Sequence, residues 1–129
     1  NLQKDQQNIL VYNNTFYGND KGIDGESWNA GVTMKNNISY NNVTADYEAD
    51  NILGSANNLS SDATSPDVGF QSLSVNFVDE AGDDFHLSGT DTNAQGQGVD
   101  LSNDTFRPFS LDIDGDTRST PWDLGADQL

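Results

Sequence analysis

The stretch NNTFYGN at residues 13–19 returns as NNISYNN at 36–42 and, more faintly, as NNLSSDA at 57–63. The step from Asn13 to Asn36 is 23 residues, and from Asn36 to Asn57 it is 21. Repeats of this length belong to solenoids, in which each unit buries its apolar face only by stacking on its neighbours. Ahead of each asparagine pair lies a short apolar alternation: Ile9 and Val11, Val32 and Met34, then Ile52 and Leu53. Alternation at period two is the pattern of a strand with one buried face. Gly18, Gly22, Gly25, Gly31 and Gly54 punctuate the units as turns require. No stretch sustains a 3.6-residue period, so few helices are expected.

The expected fold is therefore all-β. It is a right-handed parallel β-helix with two to three coils over residues 1–62, followed by a C-terminal coil and an irregular cap over 63–129. The two parts form one continuous domain. Asparagines at matching corners of successive coils can stack as a ladder, each side-chain amide bonding the next coil and satisfying turn backbone that strands leave unpaired.

Composition bounds what such a chain can do. Its 129 residues suit one domain. Only 33% are hydrophobic while 16 are asparagine, so the core must be thin. The 21 acidic residues against 5 basic ones give a net charge of -16. Nucleic acids and anionic membranes are poor partners for such a surface, because both need a basic footprint; divalent cations suit it. With no cysteine, disulfides and thiolate metal sites are excluded. No apolar run approaches the roughly 18 residues of a membrane span. The chain starts with Asn, not Met, and carries no signal peptide, so it reads as a mature piece or a fragment of a longer chain. Five N-x-S/T sequons, at Asn13, Asn37, Asn42, Asn58 and Asn103, follow from the composition alone.

From Ala63 the rhythm changes, and apolar residues come in twos and threes: Phe70, Leu73, Val75, Phe77 and Val78, Phe85 and Leu87, Val99 and Leu101. Terminal units of solenoids are atypical because an open strand edge invites aggregation unless it is covered. Within this half, NFVDEAGDDFHLSGTDTNAQGQGVDLS followed by LDIDGDTRSTPWDLGAD resembles the C-terminal end of bacterial secreted and surface-anchored right-handed parallel β-helix proteins. The correspondence runs through Phe77–Asp79, Asp84–Leu87, Ala94–Gly96, Asp112–Arg118 and Asp123–Ala126. DTNAQGQG stands where that family carries a proline-bearing turn. The resemblance implies an extracellular or cell-surface location in a bacterium, on a scaffold shared by polysaccharide lyases and adhesins.

Three groups of residues are candidates for a site. Asp112, Asp114 and Asp116 occupy positions 1, 3 and 5 of a twelve-residue window and Asp123 position 12, the oxygen spacing of a calcium loop. Glycine at position 4 (Gly115) and the short acid at the last position argue against a helix–loop–helix hand. A looser calcium loop is expected, or else a turn in which one aspartate pairs with Arg118. Trp28, with Tyr17 and Tyr40, offers a face on which a polysaccharide could stack; packing over the coils is the alternative. Trp122, after Pro121, is expected to plug the cap. DEAGDD at 79–84 reads as a hairpin tip, and His86, the single histidine, as a surface residue on the opposite strand face from Phe85 and Leu87.

A nucleophilic triad is not supported, and the only lysines in the coil region are Lys4, Lys21 and Lys35. The expected function is thus non-catalytic. The chain would terminate an extracellular β-helix and bind carbohydrate or a surface, with self-association through the coil edge near Leu2–Ile9. The alternatives are a lyase-like enzyme whose catalytic coils lie upstream, or a calcium-stabilised adhesin module.

Overall fold

The computed structural model describes residues 8–25 and 30–129. Chain order gives a first coil of β1 (Asn8–Tyr12), β2 (Thr15–Tyr17) and β3 (Lys21–Gly25) and a second of β4 (Gly31–Lys35), β5 (Ile38–Tyr40) and β6 (Ala45–Ala49). A third holds β7 (Ile52–Ala56) and β8 (Leu59–Ser60). Equivalent strands pair in parallel, giving sheets β1-β4-β7, β2-β5-β8 and β3-β6. Among the described residues there is no α-helix, only two 3-10 turns at Val68–Phe70 and Glu80–Gly82. The chain is all-β, with stacked sheets of parallel strands compatible with a β-solenoid.

Each asparagine pair turns a corner, and its two members do different jobs. Asn13, Asn36 and Asn57 sit in the left-handed region at φ 50, 57 and 55°, which asparagine tolerates better than other residues with a Cβ. The second members form a ladder. Asn37 accepts the backbone N–H of Asn14 at 3.0 Å, and Asn58 accepts that of Asn37 at 3.2 Å. Asn37 and Asn58 also donate from Nδ2 to Val11 and Met34 carbonyls at 2.7 and 2.9 Å. Both are fully buried, and so beyond reach of a glycan at their sequons.

The third coil departs from the expected pattern. Between Val32↔Ile52 and Thr33↔Gly54 the register slips by one residue, leaving Leu53 as a bulge. Met34 therefore faces Ser55, and Ile52 and Leu53 are exposed rather than continuing the inward apolar row. No third strand follows β8. The side chains of Asp62 and Thr64 instead accept the N–H groups of Asp46 and Tyr47 on β6, at 3.0 and 2.9 Å.

Two cores result. Inside the coils lie Ile23, Val32, Met34 and Tyr47, with Val11 and Phe16 packed against them. The second core lies on the far face of the middle sheet, where Ile38 and Leu59 meet Val75, Phe77, Leu87, Ala94 and Leu124. Strand β5 shows why: Ile38 and Tyr40 face this outer core, while Ser39 between them donates to the Asp46 carbonyl at 2.6 Å. The middle sheet is thus buried on both faces, with Ser39 and Ser60 beside Phe16 on the inner one, and the C-terminal half forms a wall along its apolar outer face. An antiparallel hairpin, β9 (Phe77–Asp79) and β10 (Asp84–Leu87), opens the wall. Gly125, at φ 80°, closes it against β2 and β5, where any Cβ would come within 2.7 Å of Ile38 and Thr15. Lys35 ties β4 to the wall through a 2.6 Å bond to Asp104.

Two outcomes are expected. Asn37→Ala strips a buried rung and leaves donors on Asn14 unmet, costing on the order of 3 kcal/mol in urea unfolding, well above exposed Asn14→Ala. The Asp104 carboxyl is held down to about 2 from 3.8, first by the Lys35 bond and then by the Arg107 N–H. A depressed folded value stabilises above pH 3.8 and is lost as pH falls through about 2. With solvent reaching Lys35, this contribution is on the order of 1 kcal/mol. Asp104→Asn should therefore lower stability at neutral pH, with the gap closing by about pH 2 in an acid-unfolding series.

Candidate functional site

Chemistry-bearing side chains converge on the wall, at the hairpin. Asp79 accepts the Gly82 N–H at 3.2 Å, and Asp83 takes φ 60°, so the chain reverses over Glu80–Gly82 as the DEAGDD reading expected. Strand alternation then fixes β10. Leu87 is buried, and Phe85 packs on Tyr17 with ring centroids 4.6 Å apart, while His86 faces the other way. Opposite His86 runs the end of the chain: Ile113 donates to the Ala126 carbonyl at 3.0 Å, and Leu87 donates to Asp127 Oδ2 at 2.8 Å. These segments line a cavity of about 390 Å³, walled by Phe85, Ile113 and Ala126 and edged by Asp84, His86, Asp114 and Asp127.

His86 is held from both sides. Nδ1 lies 2.5 Å from Asp84 Oδ1, and Nε2 lies 3.1 Å from Asp114 Oδ2. The Asp84 bond, and then the Asp114 bond, raise the imidazole above its ordinary 6.5, with Asp127 adding to the effect; Asp84 is lowered in turn. Ligand atoms of His86, Asp114 and Asp127 lie within 4.8 Å of one another. This is the set of at least three metal-ligating groups that the described residues bring together, and it mixes one imidazole with two carboxylates.

Of the four aspartates spaced like a calcium loop, the fold brings only Asp114 into this set. Asp112 turns its Oδ1 onto the N–H groups of Asp114 and Asp116, at 3.0 and 2.9 Å. Asp123 is 1% exposed and accepts from Gly96 and Leu129, at 2.5 and 2.8 Å. Arg118 pairs with none of these carboxylates. It donates instead to the carbonyls of Asp123, Gly125, Ala126 and Asp127, lies against the Trp122 ring at 5.4 Å, and is lowered by burial. Trp122 is 2% exposed and does plug this region. Tyr17 and Tyr40 stack at 6.2 Å, half-buried beside Phe77, with Tyr17 Oη donating to Glu80 at 3.0 Å. Trp28 lies outside the described residues.

Asp127 escaped the sequence reading altogether, while His86 is the surface residue expected of it, with a side chain 46% exposed. The one linear signal was the D-x-H spacing of Asp84 and His86, which on a strand puts both on one face. Comparison with protein-family models, curated proteins and solved structures returns no match.

Because the chain has one histidine, its titration is readable by NMR without assignment. The imidazole should titrate above 6.5, and Asp84→Asn should bring it down. A raised folded value contributes stability that is complete below pH 6.5 and lost as pH climbs through it. Thermal melts should therefore decline over that window in the native chain and flatten in His86→Gln.

Proposed function

We propose that this chain terminates a right-handed parallel β-helix of an extracellular protein, closing one end of the coil stack and leaving the other end for further coils. Right-handedness is the sense that parallel strands joined by crossovers adopt almost without exception. The observation that carries the reading is the end of the asparagine ladder. Asn58 donates its N–H and its Nδ2 to Asp67 Oδ2 at 2.8 and 2.7 Å. A carboxylate accepts but, having no amide, cannot pass a rung on. With Asp62 and Thr64 answering the N–H groups of β6, the third coil presents side-chain oxygens where a fourth coil would need strand backbone. Among the described residues, β1, β2 and β3 each pair on one side only.

The net charge of -16 and the resemblance at the C-terminus support an exported, solvent-facing location. A lyase reading finds little support on these coils: Lys21 is paired with Glu48 at 2.8 Å and Lys35 with Asp104 at 2.6 Å.

Sedimentation velocity tests the asymmetry. The native chain should reach a dimer at high concentration, through two open first coils, and go no further. Opening the closed end with Asp62→Ala and Asp67→Ala together should extend assembly beyond the dimer. A native chain that stays monomeric at its solubility limit would show that the first coil is not open; native fibres would show that the third is not closed.

A further inference from the structure

We propose that His86, Asp114 and Asp127 bind a first-row divalent transition cation, of which zinc is the natural probe. One imidazole and two carboxylates make a mixed nitrogen–oxygen set, which suits zinc or manganese better than calcium with its all-oxygen shells. Atoms bound to one zinc at about 2.1 Å lie roughly 3–4 Å apart. His86 Nε2 and Asp114 Oδ2 already meet that spacing at 3.1 Å, and a small rotation brings in Asp127 from within 4.8 Å.

Two further observations point to an ion. Asp84 occupies His86 Nδ1, which fixes the ring and leaves Nε2 as the atom facing Asp114. Carboxylate behind imidazole is the usual outer partner of a metal-bound histidine. The second observation is Asp127. Buried carboxylates elsewhere in this chain are surrounded by donors: Asp46 accepts from Asn42, Ser61 and Asp62, and Asp91 accepts the N–H groups of Asn76, Asn93, Ala94 and Gln95. Asp127 is 7% exposed, yet the Leu87 N–H is the donor the described residues supply to it, and no cationic side chain bridges to it. A buried carboxylate is costly unless it is paired or coordinated, and this one edges the cavity beside His86. The cavity leaves room for water or a small ligand to complete the shell.

Chelator-stripped protein titrated calorimetrically with zinc chloride, and in parallel with manganese and calcium chlorides, tests the site. The side chains of Asp84, His86 and Asp114 are 41, 46 and 55% exposed, so their substitution leaves both cores intact. One zinc per chain is expected. His86→Gln and Asp114→Asn should each weaken binding at least tenfold, and Asp84→Asn by about 10–100-fold through the lost outer partner. Asp112→Asn and Asp116→Asn should change nothing. Zinc should also move the Nε2 resonance of the single histidine while Nδ1 keeps its proton. The proposal is overturned by absent or non-saturating zinc binding, by binding that His86→Gln leaves intact, or by calcium binding more tightly and depending on Asp112 and Asp116.

Discussion

The whole molecule hangs on what a buried corner does with its amides. A coil of parallel strands must turn, and at each turn the chain leaves the sheet and strands backbone N–H groups with no ladder partner. In a thin core those groups cannot reach water, and each one left unmet costs roughly 1–3 kcal/mol. An asparagine pair solves this twice over. The first residue takes the left-handed conformation that makes the corner, and the second lends one oxygen to the coil before it and one amide to a neighbouring carbonyl. Neither aspartate nor glutamine substitutes freely: one has no donor, the other has a longer arm. Asp67 uses the first of these limits to end the ladder.

The first member of each pair also reaches sideways. Asn13 donates to the carbonyls of Asp123 and Gly125, Asn36 exchanges bonds with the backbone of Val99, and Asn57 donates to Gln97. The same corners that build the stack therefore moor the C-terminal wall to it. That wall is obligatory, because Ile38, Tyr40 and Leu59 make the middle sheet apolar on its outer face. Arg118 gives the last stretch of the wall its shape by gathering its carbonyls, and buries its charge in doing so.

How far the sequence could be read follows from these roles. The coils were legible because the corner demands one residue type, and NN at 13, 36 and 57 announces it. The third coil misled because a bulge is invisible to periodicity: Ile52 and Leu53 look like the next inward pair until Leu53 drops out of register. The two-sided middle sheet was hidden by its brevity, since a three-residue strand such as Ile38–Tyr40 shows an alternation without saying that both faces are covered. The candidate site was least legible. Linear spacing grouped Asp112, Asp114, Asp116 and Asp123, whereas the fold sends Asp112 into its own turn and Asp123 to Gly96, and recruits Asp127 across 40 residues from Leu87.

That origin has a consequence for how the site and the stack depend on each other. His86 stands on the hairpin, whereas Asp127 and Asp114 come from the last segment, which is held to the coils by Asn13 and by Thr15, the acceptor for the Ala126 N–H. The three ligand atoms are gathered within the wall, where Leu87 donates to Asp127 Oδ2 and Ile113 to the Ala126 carbonyl, and the bonds to the coils hold the Asp127 side of that gathering in place. The segment that carries Asp127 is thus supported by two coils, the first through Asn13 and Thr15 and the second through the Asn36 carbonyl, which accepts the Gly125 N–H at 2.7 Å. An ion bound at His86 as proposed would draw on the same first coil whose strand edges the proposed stacking uses, and any coupling between the two would be reciprocal.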